Sequence, residues 1–310
     1  MDAARLIAHL ADVPARAYLR YLPIALGKRL LWQRLVEPYL AWRPAQATAR
    51  TVDGVRLALV LPDLIQSYLY YFGVWEPNLT AFFRRTLRPG DTVVDVGANI
   101  GYFSLLAARL VGPSGAVHAV EASPAIADLL ERNVALNGFA NVTVHRVAAS
   151  DRAGKLHLFS GGAGGNLGAS TTRDHRAAEA GYALEAEVPA RPLSEIVPLD
   201  ALLAARIVKI DVEGAEADVL AGLASVMDRF GPDTVFVVEL TLAELGEGAA
   251  GLEAIVDRFA RCGFEAWHLP NDYSPRAYMD RRPPAEPVRG IAFGRSQADA
   301  IFRRADAGTD

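Results

Sequence analysis

The sequence predicts an α/β protein built on a doubly wound, mostly parallel sheet with helices on both faces. Five short apolar runs, rich in β-branched residues, alternate with helical segments over residues 92–240. This alternation is typical of parallel strands buried on both faces. A glycine-containing turn joins the first run to its helix, as in nucleotide-type sites. The 310 residues are 51% apolar, which is enough to bury a sizeable core.

Composition excludes several classes of protein. The 32 basic and 36 acidic side chains leave a net charge of −4, so the whole-chain basic surface of a nucleic-acid-binding protein is absent. Cys262 is the single cysteine, and it can form neither an internal disulfide nor a cysteine cluster around zinc. No apolar stretch reaches the ~18 residues of a membrane span. We therefore expect a soluble, cytoplasmic protein with no nucleic-acid partner and no integral membrane span.

Residues 1–70 are predicted to form a helical cap followed by a hairpin. Apolar side chains recur at three- and four-residue steps over residues 4–42, and Pro14, Pro23 and Pro38 are expected to cut this segment into short helices. Interleaved basic and aromatic side chains fit a membrane-surface helix or a cap packed on the protein. We favour the packed cap, and a homodimer through these helices stays open. The hairpin covers Ala49–Val60, with its turn at Asp53-Gly54.

The rest of the chain is predicted to be one domain, residues 71–300, followed by a tail at 301–310. An aromatic-rich helical stretch runs from Leu64 to Arg85. The final two strands have no helix between them and are expected to form an antiparallel pair that closes the sheet. The glycine-rich stretch Gly161–Gly168 is interpreted as a mobile loop. The predicted strands are Thr92–Val96, Ala116–Val120, Val142–Val147, Arg206–Ile210, Thr234–Leu240, Phe264–Leu269 and Gly290–Arg295; the clearest helices are Gly101–Leu110 and Pro124–Leu136.

The run DTVVDVGANIGYFSLLAAR, at residues 91–109, places a strand, a glycine turn and a helix in succession. Gly97 and Gly101 allow a tight turn and close approach of a ligand to the backbone. The dinucleotide fingerprint has a second glycine where Asn99 stands here. A carboxylate at Asp95 fits poorly beside a pyrophosphate on a helix N-terminus. It suits a ligand with an ammonium group and no phosphate, such as S-adenosylmethionine.

Two further acidic positions follow strands. Glu121 ends the next strand, and a carboxylate there can accept hydrogen bonds from both hydroxyls of a ribose. This holds for NAD and for S-adenosylmethionine alike. Asp211 ends a later strand and is expected to face the crevice where open α/β sheets bind ligands. Glu213 and Glu216 are interpreted as supporting residues at a helix start, where the helix dipole favours acidic side chains.

DVGANIGYFSLLAA together with VKIDVEGAEADVL resembles the FkbM family of S-adenosylmethionine-dependent methyltransferases, over roughly Val74 to Arg295. The resemblance implies a seven-stranded, Rossmann-like sheet with an antiparallel C-terminal strand. It also implies S-adenosylmethionine as cofactor and O-methylation of a hydroxyl on a sugar, a glycolipid or a polyketide-type product. Ser194 departs from the family pattern, which usually has an aspartate there. The cofactor-binding positions that the resemblance carries over are Glu76, Asp95, Gly97, Asn99, Gly101, Glu121, Ala149 and Ser150.

Asp211 is our first candidate for the acceptor side of the reaction. It would accept the hydroxyl proton late, as the new bond forms, or would orient the hydroxyl. His268, at the end of a strand, is the alternative base. Asp211 and Glu239 both end strands and are the carboxylates that a cation would use, but we predict no metal. Two alternatives stay open: an NAD(P)-dependent oxidoreductase, disfavoured by Asp95 and Asn99, and a non-catalytic cofactor-binding scaffold.

Overall fold

The computed structural model describes residues 3–22, 26–41, 43–161, 170–241, 249–280, 283–291 and 297–304. Its helices are α1 Ala3–Tyr21, α2 Lys28–Leu31, a π-helix Trp32–Leu40, α3 Leu64–Phe72, α4 Pro77–Thr86, α5 Tyr102–Val111, α6 Pro124–Asn137, α7 Asp174–Ala180, α8 Leu193–Ile196, α9 Leu199–Leu203, α10 Glu216–Gly222, a 3₁₀ turn Met227–Arg229, α11 Ala249–Arg261 and α12 Pro275–Met279. Its strands are β1 Ala45–Arg50, β2 Arg56–Leu61, β3 Thr92–Val96, β4 Ala116–Glu121, β5 Val142–Arg146, β6 Ala148–Ala149, β7 Gly154–Ser160, β8 Ala183–Arg191, β9 Ala205–Ile210, β10 Val235–Thr241, β11 Phe264–Leu269, β12 Val288–Arg289 and β13 Gln297–Arg304.

The N-terminal helices are less interrupted than the prolines predict. Helix α1 continues through Pro14, and the π-helix contains Pro38, so the expected breaks at these two positions are wrong. Pro23 lies outside the described residues. Tertiary contacts offset the lost backbone hydrogen bond at Pro14. Just before it, the buried Asp12 carboxylate accepts hydrogen bonds of 2.7 Å from the hydroxyls of Tyr70 and Tyr71.

The cap shares one apolar core with the rest of the chain. Trp32 stacks on Phe72 at 5.0 Å and meets the ring edge of Tyr71 at 5.9 Å. The predicted boundary at residue 70 therefore falls inside α3 and separates no independent core. The predicted hairpin is confirmed, since β1 and β2 pair antiparallel. The predicted helical stretch 64–85 contains two helices, α3 and α4, because Gly73 ends α3 with a left-handed φ of 73°.

The main sheet has the predicted parallel architecture. Its order is β12-β11-β13-β10-β9-β3-β4-β5, with β5, β4, β3, β9 and β10 parallel to one another. Strand β13 lies antiparallel between β10 and β11. Seven strands thus match the expected sheet, and the two-residue β12 adds an eighth at the edge. Apolar cores cover both faces. No helix among the described residues has the length and apolar character to cross a membrane.

The C-terminal closure of the sheet differs from the prediction. The strand between β10 and β11 is Gln297–Arg304, not Gly290–Arg295, and the short helix α12 lies in the connection before it. Residues 292–295 lie outside the described part of the chain. Because β13 includes residues 301–304, the predicted tail boundary at 301 is also wrong. The strand forms at this position because it buries Ala300, Ile301 and Phe302 fully between β10 and β11.

A second sheet was not predicted. Strands β6, β8 and β7 form it in that order, with β7 and β8 antiparallel. It lies next to the carboxyl ends of β4 and β5, because β4 and β5 are parallel neighbours and β6 follows β5 after a single residue. Most of the predicted glycine-rich loop, residues 162–168, falls outside the described residues. The carboxyl ends of β3, β4, β9 and β10 lie along one edge of the main sheet, and the candidate site is at this edge.

Candidate active site

A cleft of about 700 Å³ opens at the carboxyl ends of β3, β4 and β9, and we call it the cofactor cleft. Two motifs that are more than one hundred residues apart in the sequence meet in it. Five of the predicted site residues line the cleft: Gly97, Asn99, Glu121, Ala149 and Asp211. Sequence reasoning missed its polar wall at Ser170 and Thr172, and this segment follows the glycine-rich stretch directly.

The two motifs touch through their backbones. Asp211 N–H donates to the Val96 carbonyl at 3.0 Å. A Cβ at Gly97 would lie 1.7 Å from the Asp211 carbonyl oxygen, and Gly97 has a φ of 77°. Both observations require glycine there. Gly97 therefore permits the close approach of β3 and β9, in addition to any approach of a ligand.

Glu121 is built into the floor of the cleft. Its Oε2 accepts a 2.9 Å hydrogen bond from the backbone of Asn99, and its Oε1 accepts one of 2.8 Å from Ser123. Asn99 adopts a left-handed φ of 52° that points its N–H at Glu121. Burial raises the pKa of Glu121 to about 7, although the backbone N–H groups oppose the shift. Each carboxylate oxygen retains a further acceptor position, so this side chain can still accept two hydroxyl donors.

Asp95 lies beneath the cleft and does not line it. The side chain is fully buried; Oδ2 accepts a 2.6 Å hydrogen bond from Ser104, and Oδ1 lies 3.7 Å from Lys209 Nζ. Burial raises the pKa of Asp95, and Lys209 opposes the rise. Asp95 thus forms a buried ion pair with Lys209 beneath the cleft. Its predicted contact with the cofactor stays a prediction.

Gly101 and Ser150 also lie behind the lining residues. A Cβ at Gly101 would meet Leu130 at 2.5 Å, so this glycine allows α5 and α6 to pack. Ser150 is buried, and its backbone N–H donates to Arg191 at 2.9 Å. Both residues support the cleft through packing.

A buried lysine lies between the cleft and a group of acidic side chains. Lys209 Nζ forms a 2.9 Å ion pair with Asp211 in addition to its contact with Asp95. Burial acts to lower the pKa of Lys209, but the carboxylates of Asp211, Asp95 and Glu76 raise it above its ordinary value. Lys209 was missed in the sequence. It could have been found from its position two residues before Asp211, because residues two apart on a strand lie on the same face.

Four carboxyl groups surround this lysine on one side, and we call them the acidic cluster: Glu76, Asp211, Glu239 and Asp299. Glu239 and Asp299 are directly opposite each other on β10 and β13. Oxygen atoms of Glu76, Glu239 and Asp299 lie within 4.8 Å of one another. A cluster of this kind is able to hold a divalent cation or to share protons. Glu76 and Asp211 were predicted as site residues, and Glu239 was named as a carboxylate that a cation would use. Asp299 was missed in the sequence.

Protonation relieves part of the repulsion within the acidic cluster. Burial, with added repulsion from Asp299 and Asp211, raises the pKa of Glu76 to about 8. Burial likewise raises the pKa of Asp299 to about 7. Polar neighbours fix both groups: the Tyr273 hydroxyl donates to Glu76 at 2.7 Å, and the Asn271 amide donates to Asp299 at 3.0 Å.

Asp211 and Glu239 form a hydrogen-bonded pair of unequal acidity. Burial opposes ionisation of Asp211, but Lys209 and a hydrogen bond from Glu239 lower its pKa below the ordinary value. Burial and the negative charge of Asp211 raise the pKa of Glu239 well above the ordinary value. Glu239 is therefore the more readily protonated member of the pair, and it donates a hydrogen bond to Asp211. Such a pair can accept one further proton.

His268 is not in the cofactor cleft. It lines a neighbouring cavity of about 410 Å³ together with Asn271, Tyr273 and Asp299, so it approaches the acidic cluster from its far side. Its Nδ1 is buried and has no hydrogen-bond partner in the described part of the chain, and burial lowers the pKa of the ring. Its role as the alternative base stays a prediction.

The loop after β9 is held in place by two elements. Glu216 Oε1 accepts hydrogen bonds from the backbones of Val212 and Gly214, at 3.0 and 3.1 Å, as expected for a residue at the helix start. Glu213 lies in the turn before α10, not in the helix, and pairs with Arg176 of α7 at 3.0 Å. Residues 170–176 therefore close one side of the cleft over Asp211.

The lining of the cleft fits S-adenosylmethionine. Glu121 has acceptor positions left for a ribose. The Ser170 hydroxyl is buried at the cleft wall without a hydrogen-bond partner among the described residues. Apolar side chains form the remaining walls, as small-molecule sites require: Val120, Ala122, Val147, Ala148, Ala149 and Leu158.

The family described as "Methyltransferase FkbM domain" matches residues 95–266, more than half of the chain. The 31-O-demethyl-FK506 methyltransferase FkbM of Streptomyces tacrolimicus is 34% identical over 160 residues, which cover 44% of this chain and 61% of that protein. Methyltransferase sdnD of Sordaria araneosa is 32% identical over 200 residues, covering 57% and 76%. A protein-L-isoaspartate O-methyltransferase of Aeropyrum pernix is 46% identical over 55 residues, covering 18% and 21%.

The chain thus spans about a fifth to three fifths of the length of several curated relatives. Among solved structures, an O-methyltransferase of Bacillus cereus in complex with SAH aligns with a TM-score of 0.40 at 14% identity, over 74% of this chain and 81% of that one. An O-methyltransferase of Thermotoga maritima aligns with a TM-score of 0.37 at 17% identity, over 87% and 82%.

Proposed function

Since this chain belongs to the FkbM methyltransferase family, we propose that it transfers a methyl group from S-adenosylmethionine to a neutral hydroxyl of a sugar, glycolipid or polyketide-type acceptor. The bound cofactor supplies an electrophilic methyl group on its sulfonium. The protein has to hold the cofactor, place the hydroxyl oxygen in line with the methyl group and accept the hydroxyl proton. Family membership also removes the oxidoreductase alternative.

The observation that carries the proposal is the Asp211–Glu239 pair. Asp211 lines the cofactor cleft, and it is also the member of the acidic cluster that is hydrogen-bonded to Glu239. A hydroxyl is far too weak an acid for this carboxylate to deprotonate beforehand. Its proton passes to the pair late, as the oxygen–carbon bond forms and the oxygen becomes positive. The pair then becomes neutral, and it gives the proton up to solvent after the product leaves, because Lys209 lowers the pKa of Asp211.

The charge of the site favours a neutral acceptor. Carboxyl groups outnumber the single lysine, and those that stay ionised, Asp211 above all, would repel an anionic acceptor in a desolvated region. This argues against carboxyl methylation, the reaction named for the L-isoaspartate relatives. A polyhydroxylated acceptor suits the cluster better, because its hydroxyl groups can donate to several carboxylates at once. The amide groups of Asn78 and Asn271 line a separate cleft.

The test combines turnover with cofactor affinity. Asp211→Asn is expected to lower turnover at least ~100-fold, since a positioned base contributes typically 10²–10⁴-fold, while S-adenosylhomocysteine affinity stays within about twofold of the parent. His268→Ala is expected to have a smaller effect and is the control. Labelled S-adenosylmethionine and extracted polyols identify the acceptor. Nearly normal turnover in Asp211→Asn would move the role elsewhere, and loss of cofactor binding would make Asp211 a cofactor residue.

A further inference from the structure

Five arginines gather at the edge of the main sheet opposite the cofactor cleft. Strands β9 and β10 begin there, and the antiparallel β13 ends there. One strand length, roughly 16 Å, separates this edge from Asp211. A cleft of about 1100 Å³ opens at this edge. Its charged side chains are Arg85, Arg88, Arg206, Arg303, Arg304, Asp233 and Glu286.

Three of these guanidinium groups are held in place by ring contacts or by hydrogen bonds to backbone carbonyls. Arg303 lies 4.1 Å from the ring centre of Trp267, and Arg304 lies 4.7 Å from that of Phe264. Arg206 is 22% exposed; it donates to the Asp233 carbonyl at 3.1 Å, and its Nε is buried without a hydrogen-bond partner among the residues that the structure describes. A guanidinium fixed in this way is ordered before a ligand arrives, so less entropy is lost on binding.

The cleft carries surplus positive charge. Arg85 pairs with Glu286 and Arg206 pairs with Asp233, both at 3.3 Å. The two carboxylates are 71% and 86% exposed, and ion pairs this exposed contribute little. The other three arginines form no ion pair with a described residue. Three charges thus remain for a ligand, which exceeds the ~1.5–2 negative charges of one phosphate group at neutral pH.

We propose that this cleft is a second binding site that takes the diphosphate group of a small anionic ligand. The planar fork of arginine matches phosphate oxygens in bidentate geometry. The site is separate from methyl transfer in position and in sign of charge, because the acidic cluster repels the anions that this cleft attracts. It does not depend on the identity of the methyl acceptor.

Calorimetry with inorganic pyrophosphate tests the proposal on the full chain, saturated with S-adenosylhomocysteine and at fixed ionic strength. One pyrophosphate is expected to bind per chain, more tightly than orthophosphate. Arg206→Gln and Arg88→Gln are each expected to weaken binding about tenfold, as for loss of one charge-assisted contact. Arg88→Gln is included because the Arg88 side chain is exposed and unpaired within the described chain, so this variant is expected to fold normally.

The matched control is Arg152→Gln, which removes the same charge from an exposed pair with Asp151 outside the cleft. It is expected to leave pyrophosphate binding unchanged. Equal weakening in the control would reduce the effect to overall charge and overturn the proposal. So would absent binding, equal affinity for orthophosphate, or competition between pyrophosphate and S-adenosylhomocysteine.

Discussion

Glu121 is expected to make cofactor affinity depend on pH and on a single carboxylate. Its two oxygens each accept one backbone N–H and each keep a position for a ribose hydroxyl. Hydrogen bonds to a charged group contribute about 1.5–3 kcal/mol each. Water and loop relaxation offset part of that loss in a truncated variant. We therefore expect Glu121→Ala to weaken S-adenosylhomocysteine binding by roughly ten- to a hundredfold.

The pH dependence follows from the raised pKa. Burial places the pKa of Glu121 at about 7 in the free protein, and donation from ribose hydroxyls favours the ionised form. Affinity is therefore expected to rise roughly tenfold between pH 6 and pH 8, as the ionised fraction grows from about a tenth to about nine tenths. In Glu121→Gln, this part of the pH dependence is expected to vanish. Isothermal titration calorimetry at several pH values measures both effects.

Glu185→Gln is the matched control. Glu185 accepts a 2.5 Å hydrogen bond from Ser123 and raises the pKa of Glu121 by its charge, but it does not line the cleft. Its removal is expected to preserve the pH dependence and to move its midpoint to lower pH. Equal loss of affinity in Glu185→Gln, or affinity independent of pH in the parent chain, would refute the reasoning.

Three further expectations concern the scaffold. Lys209→Met leaves buried carboxylates without their cation, so urea denaturation should show a free energy of unfolding lower by about 3–5 kcal/mol. The carboxyl groups of the variant then take up protons above their ordinary pKa, so this loss of stability should shrink as the pH falls from 7. A loss that does not change with pH would contradict the expectation. Gly97→Ala places a Cβ 1.7 Å from a backbone oxygen and should abolish cooperative thermal unfolding, whereas Gly138→Ala, with open space around it, should cost only a modest amount. The full chain should not co-sediment with anionic vesicles, because residues 1–45 pack on the protein, with Trp32 buried. Salt-sensitive binding to the vesicles that is lost when residues 1–45 are deleted would show a membrane contact instead.

Much of the central sheet is determined by local sequence. The predicted ends of β3, β4, β5, β9, β10 and β11 agree with the structure to within one residue, because continuous β-branched runs bounded by turns need no distant information. The predicted floor of the cofactor cleft also follows from local motifs. Gly97, Asn99 and Glu121 lie where parallel strands end, and parallel strands end at a common edge.

Tertiary structure alone decided the last strand and the acidic cluster. The segment Gln297–Arg304 is a poor strand candidate by itself, since it contains Asp299 and ends in two arginines. It becomes a strand because β10 and β11 bury it between them. That pairing sets Asp299 opposite Glu239 and beside Glu76, from three distant parts of the chain. Their raised pKa values come from shared burial and mutual repulsion, two quantities that exist only once the sheet order is complete.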